Sequence, residues 1–553
     1  MTINGVNMRA LMLLVIGLAL LLIVFPYAYL PERMRFELAG IVGTPSPEKR
    51  LSVPTPSYEA QEESCPPDLL GYRDAIVIEG VSIAAASTCV GDNPYAIAAF
   101  VKGTNNVSQE TLTRAGLAVD ALHKGRDLDG DGDADEIHIR LEIAELNGGS
   151  PDSQEPTAQY QLAPGIAPSL WVFVPKTFGM ATENFESNQA MPLLRSPSPS
   201  IRIEQGDRVL ITLENTHYLE HTIHFHGVDH RYVKANGEGS DGVPLSSELP
   251  VKAGQSRTYE IQARNTGTSF YHCHVQTQSH LPMGLQGMFI IEENLPNNTL
   301  QSMNIGAGQV RVRSQESVRN YDQEYDMHYS DLDSDLNNIV QQTNDPVAIK
   351  RWLHGAYNIS EGRSNYFMLN GRSFPYTFRE SLINVKENQT VRLRVLNAGS
   401  EGISLHTHGH KSTATHYDGV RVPEAAQLTR DVFWLASAQR LDLSLRTVDD
   451  GVHSYGPGVW MMHDHRGKGI TNGGIAPGGN MTAIVYDDYL RDDGWPITQG
   501  KDFGQFFDPR FYQRIDSGKA QALSWLLLLR LMLMGGAFGL IIKGAAHFIR
   551  DRG

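Results

Sequence analysis

The chain has 553 residues, of which 41% are hydrophobic and 20% are charged, and its formal net charge is -15 at pH 7. This length and composition predict two or three globular domains with sizeable cores and argue against a disordered chain. The negative charge, without a long run of Lys and Arg between the termini, argues against a nucleic-acid partner.

Apolar segments stand at both ends of the chain. Within residues 1–31, the run 10–30 is long enough to cross a bilayer and has no clear cleavage site after it, which favours an uncleaved membrane anchor over a removed export signal. Residues 521–549, interrupted by Arg530 and Lys543, predict a C-terminal membrane helix, with a helix lying on the membrane surface as the alternative. Both interpretations predict a membrane-anchored protein whose body is extracytoplasmic, on the periplasmic or cell-surface side.

The segment after the first apolar run is expected to separate the body from the membrane. Residues 32–67 are rich in Pro, Ser and Glu, which is typical of a linker. Residues 68–134 show little helical periodicity, and we interpret them as a small extra module of unknown fold. Cys65 and Cys89 lie close together in sequence, and in an exported protein they predict a disulfide.

An acidic stretch near residue 130 has the spacing of a calcium loop. Carboxylates alternate along it, and Gly132 stands at the turn, as in EF-hand loops. The twelfth position is His138 rather than Glu, so a solvated acidic turn explains the pattern equally well. The candidate calcium ligands are Asp127, Asp129, Asp131, Asp133 and Asp135.

From residue 136 onward, short alternating apolar segments separated by turn residues predict an all-β fold. One pattern occurs twice: SIRIEQGDRVLITLENT leads into HTIHFHG, and SLINVKENQTVRLRVLNAG leads into SLHTHGH. This internal repeat predicts two β-sandwich domains. The predicted bounds are 135–298 and 310–490, with linkers at 299–309 and 491–520.

Four His-x-His doublets occur in the two repeats. On a strand, residues i and i+2 project from the same face, so the two imidazoles of a doublet can bind one metal site. A single doublet could be solvated and without function, whereas two in each repeat indicate a metal centre. Imidazole binds copper, zinc, iron and nickel, which leaves the metal open. The doublets are His224/His226, His272/His274, His406/His408 and His463/His465.

Cys273 indicates which metal is bound. It stands between His272 and His274 in YHCHVQTQSH, while His221 opens HTIHFHG. Two imidazoles and one thiolate form the ligand set of blue copper. We therefore predict a type 1 copper bound by His221, Cys273 and His280.

The segments HTIHFHG, YHCHVQTQSH, HTHGH and MMHDH together resemble the four copper-binding motifs of multicopper oxidases, over roughly residues 136–490. The cysteine motif lies in the first of two domains, an order similar to two-domain oxidases and to copper nitrite reductases. The resemblance implies cupredoxin-like Greek-key domains, about four copper ions per chain, and a laccase-like enzyme that reduces dioxygen to water.

The resemblance also implies a role for each histidine doublet. The first members of the two HxHG doublets, His224 and His406, would bind the type 2 copper. The type 3 pair would be bound by His226, His272, His274, His408, His463 and His465. Because His272 and His274 flank Cys273, this strand would connect the one-electron site to the trinuclear cluster.

Two features depart from the family pattern. The spacing from Cys273 to His280 is two residues longer than in usual laccases. The usual axial position, five residues after His280, holds Leu285, which would raise the reduction potential. Met283 is an alternative axial ligand, and core packing is the other explanation for it.

By the same resemblance we expect a homotrimer whose clusters lie at subunit interfaces. The electron donor stays open between small molecules, metal ions and redox proteins. The alternative function is a copper nitrite reductase, which needs one histidine beside the cysteine and a three-histidine type 2 site. Both histidines beside Cys273 and the complete MMHDH doublet favour oxygen reduction.

Overall fold

The structure is a computed structural model, and most of what it describes lies between residues 118 and 512. The ranges are 118, 120–148, 160–176, 195–296, 303–304, 308–312, 321–341, 345–491, 495–499 and 503–512, with short stretches at 2–3, 6–7, 12–13, 15–16, 76–78, 81–83, 532–533, 536–537, 539–543 and 546. Cys65 and Cys89 lie outside these residues, so their disulfide stays a prediction.

Residues 1–49 and 513–553 form one compact unit, and residues 50–512 form the other. In the first unit, Thr2–Ile3 pairs with Val6–Asn7. The two predicted membrane segments lie largely outside the described residues. Within the described part of the chain, no helix combines the length and apolarity needed to span a bilayer.

Domain 1 consists of two sheets. The first contains β1 (Leu122–Lys124), β2 (Glu136–Leu146), β3 (Leu170–Pro175), β5 (Arg208–Glu214), β7 (Asp229–His230) and β8 (Ser256–Gln262). The second contains β4 (Ser200–Glu204), β6 (His224–His226), β9 (Gly267–His272), β10 (Gln286–Glu292) and β11 (Met303–Asn304). A short helix, α1 (Thr277–His280), joins β9 to β10.

Domain 2 repeats this architecture with two more sheets. The first contains β12 (Gly308–Val312), β13 (Gln323–Leu332), β14 (Tyr366–Leu369), β16 (Thr390–Asn397), β18 (Ser412–Tyr417), β19 (Val420–Arg421), β20 (Thr429–Arg430) and β22 (Arg440–Arg446). The second contains β15 (Ile383–Val385), β17 (Ile403–Thr407), β21 (Val432–Leu435), β23 (Val459–Asp464) and β24 (Thr482–Tyr486). Its helices are α2 (Ser334–Gln341), α3 (Pro346–Gly355) and α4 (Thr377–Glu380).

Five 3-10 helices complete the described elements of domain 2. They are Glu424–Ala426, Gly467–Ile470, Asp487–Tyr489, Phe503–Phe507 and Pro509–Tyr512. A separate strand pair, Ile76–Ile78 with Val81–Ile83, lies within the predicted extra module.

The mostly β, cupredoxin-like fold predicted from the alternating segments is confirmed. Along β5 the side chains alternate between buried and more exposed, so its apolar residues face one core. The sequence repeat has the same strand pairing in both domains. Strands β2 and β5 pair in parallel in domain 1, as β13 and β16 do in domain 2.

Three segments that the sequence analysis placed outside the two β-sandwiches contain residues that pair with or pack on them. Leu122 on β1, within the predicted module 68–134, pairs with Ile139 on β2. Met303, within the predicted linker 299–309, pairs with Ile201 on β4. Phe506, within the predicted linker 491–520, packs on Phe374 with ring centroids 5.2 Å apart. These pairings between distant positions extend the two domains beyond the bounds that local periodicity predicts.

The two domains meet through an apolar contact and a buried ionic network. Phe270, Met288 and Ile290 of domain 1 share a buried cluster with Leu396 and Ala398 of domain 2. Beside this cluster lie two buried arginines and four buried carboxylates: Arg202, Arg394, Glu292, Glu324, Asp326 and Asp442. This contact joins the second sheet of domain 1 to the first sheet of domain 2.

Candidate metal centres

The predicted type 1 ligands come together in the core of domain 1. His221 Nδ1 lies 3.4 Å from Cys273 Sγ, and His280 Nδ1 lies 3.6 Å from the same sulfur. One potential ligand atom from each residue fits within 4.8 Å of the others. The longer loop after Cys273 forms α1, whose last residue is His280, so the two additional residues are accommodated in a helical turn.

Burial sets the protonation of this site. It lowers the pKa of His280 to about 3 and that of His221 well below its ordinary value, so both imidazoles are neutral near pH 7. Burial raises the pKa of the Cys273 thiol to about 12. Copper binds the thiolate form of cysteine. The two imidazoles and the sulfur therefore fit copper once the Cys273 thiol has lost its proton.

A helical hairpin of domain 2 covers this site. Asn337 on α2 donates to Met283 Sδ at 3.5 Å and also to the carbonyl of Ser169. Gln341 at the end of α2 donates to the carbonyl of Ala167 at 2.9 Å. One buried cluster contains Leu336, Val340, Ile349 and Leu353 of α2 and α3 together with Cys273, Met283 and Leu285. The hairpin therefore closes domain 1 over the candidate copper position.

Four histidines form a first group at the end of β6 and β9, which we call half-site 1: His224, His226, His272 and His274. His224 stands opposite His272 in the antiparallel register. His226 Nε2 lies 3.0 Å from His272 Nε2. Ring centroids of His224 and His274 are 5.4 Å apart. The four ligands that domain 1 was predicted to give to the trinuclear cluster are thus brought together.

The corresponding group in domain 2, half-site 2, consists of His406, His408, His463 and His465. His406 stands opposite His463 on β17 and β23. His408 Nε2 lies 3.1 Å from His463 Nε2, and the rings of His406 and His465 are 5.4 Å apart. The two half-sites therefore have the same geometry, as expected from the internal repeat.

Backbone carbonyls and burial prepare both half-sites for a metal. His272 Nδ1 lies 2.8 Å from the carbonyl of Cys273, and His463 Nδ1 lies 3.0 Å from that of Asp464. A ring held this way at Nδ1 presents Nε2 as the ligand atom. Burial lowers the pKa of His226 to about 3 and that of His272 to about 4. Burial also lowers the pKa of His463.

The two half-sites do not meet within one chain. Half-site 2 lies on the second sheet of domain 2, where Leu405 and Met462 point into the core and His406 and His463 point outward. The first sheet of domain 2 is the one that packs on domain 1. Facing sheets are about 10 Å apart. The first sheet and the core of domain 2 therefore lie between half-site 1 and half-site 2.

Sequence analysis missed several polar residues around these sites. His217 and Glu145 lie behind His221, and His230 and Asp241 lie beside His224. His230 Nε2 is 3.4 Å from Asp241 Oδ1, and His224 Nδ1 is 3.5 Å from the same oxygen. The sequence offered one indication of these residues, because further histidines stand on both sides of HTIHFHG: His217 before it and His230 after it.

The acidic loop assembles only in part. Oxygen atoms of Asp127, Asp129 and Asp135 fit within 4.8 Å of one another, and Asp131 and Asp133 are not in this group. Asp135 Oδ2 also accepts from the backbone amides of Leu128 and Asp129. Calcium binding by this loop stays a prediction.

Two imidazoles and a cysteine in the core of a cupredoxin-like domain define the blue-copper class of proteins. Two family models, each described as multicopper oxidase, match residues 192–295 and 352–473. Two separate segments of the chain, one in each β-sandwich domain, are therefore similar to multicopper oxidases.

The similar proteins carry related names. An oxidoreductase, OpS5, from Beauveria bassiana is 36% identical over 24% of this chain and 22% of its own length. An iron transport multicopper oxidase, FET3, from Gibberella zeae is 25% identical over 53% of this chain and 44% of its own length. The chain thus covers less than half of either relative. A blue copper oxidase structure from Nitrosomonas europaea aligns at 26% identity and a TM-score of 0.47, over 68% of this chain and 92% of its own.

Proposed function

We propose that this protein takes electrons singly at a type 1 copper in domain 1 and reduces dioxygen to water at a trinuclear copper cluster. One observation carries the proposal: the Cys273 sulfur faces His221 and His280, while His272 and His274 on either side of it belong to half-site 1. Bound copper would supply one-electron redox chemistry at the first site and oxygen binding at the second.

The chain supplies a short route between the two sites. Cys273 and its two neighbouring histidines are joined by covalent bonds, and His272 Nδ1 is hydrogen-bonded to the Cys273 carbonyl at 2.8 Å. Burial lowers the pKa of four of these imidazoles, so they need not lose a proton before binding metal: His226, His272, His408 and His463. The residues present fit copper at both sites.

We further propose that half-site 1 of one subunit faces half-site 2 of the next in a homotrimer. Each half-site offers four imidazoles, which is half of the eight that the cluster needs. Exposed apolar side chains support this assembly. Leu245 and Leu249 are 98% and 80% exposed on the loop that follows Asp241, and Trp434 is 60% exposed two residues beyond the strand partner of His406. A head-to-tail contact closes into a three-membered ring when neighbouring subunits are related by a third of a turn, and we propose that relation here.

The covered type 1 site bears on the electron donor. His221 and His280 are at most 1% exposed, so direct contact of a donor with either imidazole is blocked in this conformation. We propose a donor that passes electrons through the surrounding protein, with small molecules, metal ions and redox proteins as the candidate classes. We also propose that the protein is anchored to a membrane and that the reaction takes place on the extracytoplasmic side.

The test is a count of copper combined with spectroscopy on the full-length, copper-loaded protein. About four coppers per chain, with one blue, one normal and one spin-coupled pair, are expected, together with oxygen uptake. His408→Ala should remove the coupled pair and keep the blue copper, and Cys273→Ser should do the reverse. About two coppers per chain, with turnover of nitrite, would overturn the proposal in favour of a nitrite reductase.

A further inference from the structure

His217 lies between the candidate copper ligand His221 and a buried carboxylate. Its Nδ1 is 2.9 Å from His221 Nε2, and its Nε2 is 3.4 Å from Glu145 Oε2. His217 is 1% exposed and Glu145 is 6% exposed. The three side chains form a continuous hydrogen-bonded line that begins on the side of His221 opposite Cys273.

The ligand role of His221 determines where the protons lie along this line. Since His221 Nδ1 faces Cys273, its proton belongs on Nε2, and Nε2 donates to His217 Nδ1. His217 must then carry its own proton on Nε2 and donate it to Glu145. This arrangement gives each of the two contacts one donor and one acceptor.

The carboxylate at the end of the line is fixed by other donors. The Tyr218 hydroxyl donates to Glu145 Oε2 at 2.9 Å, and the Ser169 hydroxyl donates to Oε1 at 3.3 Å. The Tyr218 ring also lies against His217, with centroids 3.9 Å apart, and Trp171 contacts His217 edge-on at 4.9 Å. Packing and hydrogen bonds therefore hold both His217 and Glu145 in place.

We propose that His217 is a positioning residue of the type 1 site, which orients His221 and transmits the negative charge of Glu145 to it. This inference rests on the proposed copper site. A carboxylate behind a ligand imidazole makes that ligand more basic and favours the more highly charged, oxidised metal. The pair His217 and Glu145 therefore lowers the copper reduction potential and opposes the effect of Leu285 at the axial position.

The test measures copper content, the visible and paramagnetic resonance spectra, and the reduction potential of the blue copper in the full-length protein. Glu145→Gln keeps an acceptor for His217 and removes the charge. We expect the equilibrium to shift about tenfold toward the reduced copper, which is about 59 mV for a one-electron couple. His217→Phe removes the line altogether and should shift the potential in the same direction with an altered spectrum.

Two further variants separate positioning from general packing. In His217→Gln the side-chain carbonyl can accept from His221 and the amide can donate to Glu145, so the spectrum should return toward that of the wild type. His138→Phe is the matched control, because His138 is a partly buried histidine of the same domain whose Nε2 contacts Thr212 Oγ1 at 2.9 Å. It should leave the potential unchanged.

An unchanged potential and spectrum in both Glu145→Gln and His217→Phe would overturn the inference. If His217→Phe fails to fold, Glu145→Gln alone decides, and an unchanged potential and spectrum in that variant overturn the inference. A wild-type protein without blue copper would instead refute the proposed function, so the two failures are distinguishable.

Discussion

Asn337 of domain 2 donates its side-chain amide to Met283 Sδ of domain 1 at 3.5 Å, next to the candidate type 1 site. Both side chains are fully buried. The sulfur that accepts this hydrogen bond is the one that sequence analysis considered as an axial copper ligand. Met283 therefore contributes to the contact between the α2–α3 hairpin and domain 1.

We expect Met283→Leu to leave the blue-copper spectrum and potential close to those of the wild type, because the sulfur serves packing and accepts from Asn337. The matched comparison is Leu285→Met, which places a thioether at the usual axial position and should lower the potential. Visible and paramagnetic resonance spectra with a redox titration measure both. A marked rise in potential in Met283→Leu would show that the sulfur is an axial ligand.

Copper uptake at Cys273 should release a proton. The thiol, whose pKa burial raises to about 12, is protonated at pH 7, while the neutral imidazoles of His221 and His280 have none to lose. The affinity of this site should therefore rise about tenfold per pH unit near neutrality. Calorimetric copper titrations in two buffers of different protonation enthalpy give the proton count.

The control for this count is Cys273→Ser, which keeps both half-sites. Wild type and variant should differ by about one proton per chain. A difference near zero would mean that Cys273 is already a thiolate before copper binds.

Complementation tests whether the cluster lies between subunits. His226→Ala damages half-site 1 and His408→Ala damages half-site 2, so each variant alone should lack the coupled pair. After dissociation and joint reassembly, about a quarter of the interfaces in a head-to-tail ring would combine two intact half-sites. The coupled pair and oxygen uptake should reappear to that extent.

Reassembly of each variant with itself is the control and should restore nothing. If the mixed sample also restores nothing while trimers form, the cluster is not built between subunits in this way.

Arg394 links the buried ionic network at the contact between the domains. Its Nη1 donates to Asp442 at 2.7 Å and its Nε to Glu324 at 2.5 Å, and all three residues are buried. Arg394→Met removes this counter-charge from two buried carboxylates and should lower the free energy of unfolding by about 3–5 kcal/mol. Urea denaturation of the full-length protein measures the change.

The exposed pair of Arg126 and Glu136 provides the comparison. Arg126→Met should have no measurable effect, because solvent screens that pair. Equal effects of the two substitutions would show that burial does not govern the network around Arg394.

The sequence by itself determined the features that depend on local geometry. A strand places residues i and i+2 on one face, so His224 and His226 could be predicted to face one metal cluster without coordinates. The alternating segments of β2 and β5 similarly predicted the β-sandwich. The ligand set of His221, Cys273 and His280 followed from the chemistry of these residue types.

Tertiary structure decided what depends on contacts between distant segments. Glu145 and His217 are 72 residues apart, and no local pattern relates them. The hairpin over Met283 comes from domain 2, and its position follows from apolar packing across the two domains. The separation of the half-sites likewise depends on which sheet of domain 2 packs against domain 1. Packing is not periodic along the chain, so these relationships appear only once the fold is formed.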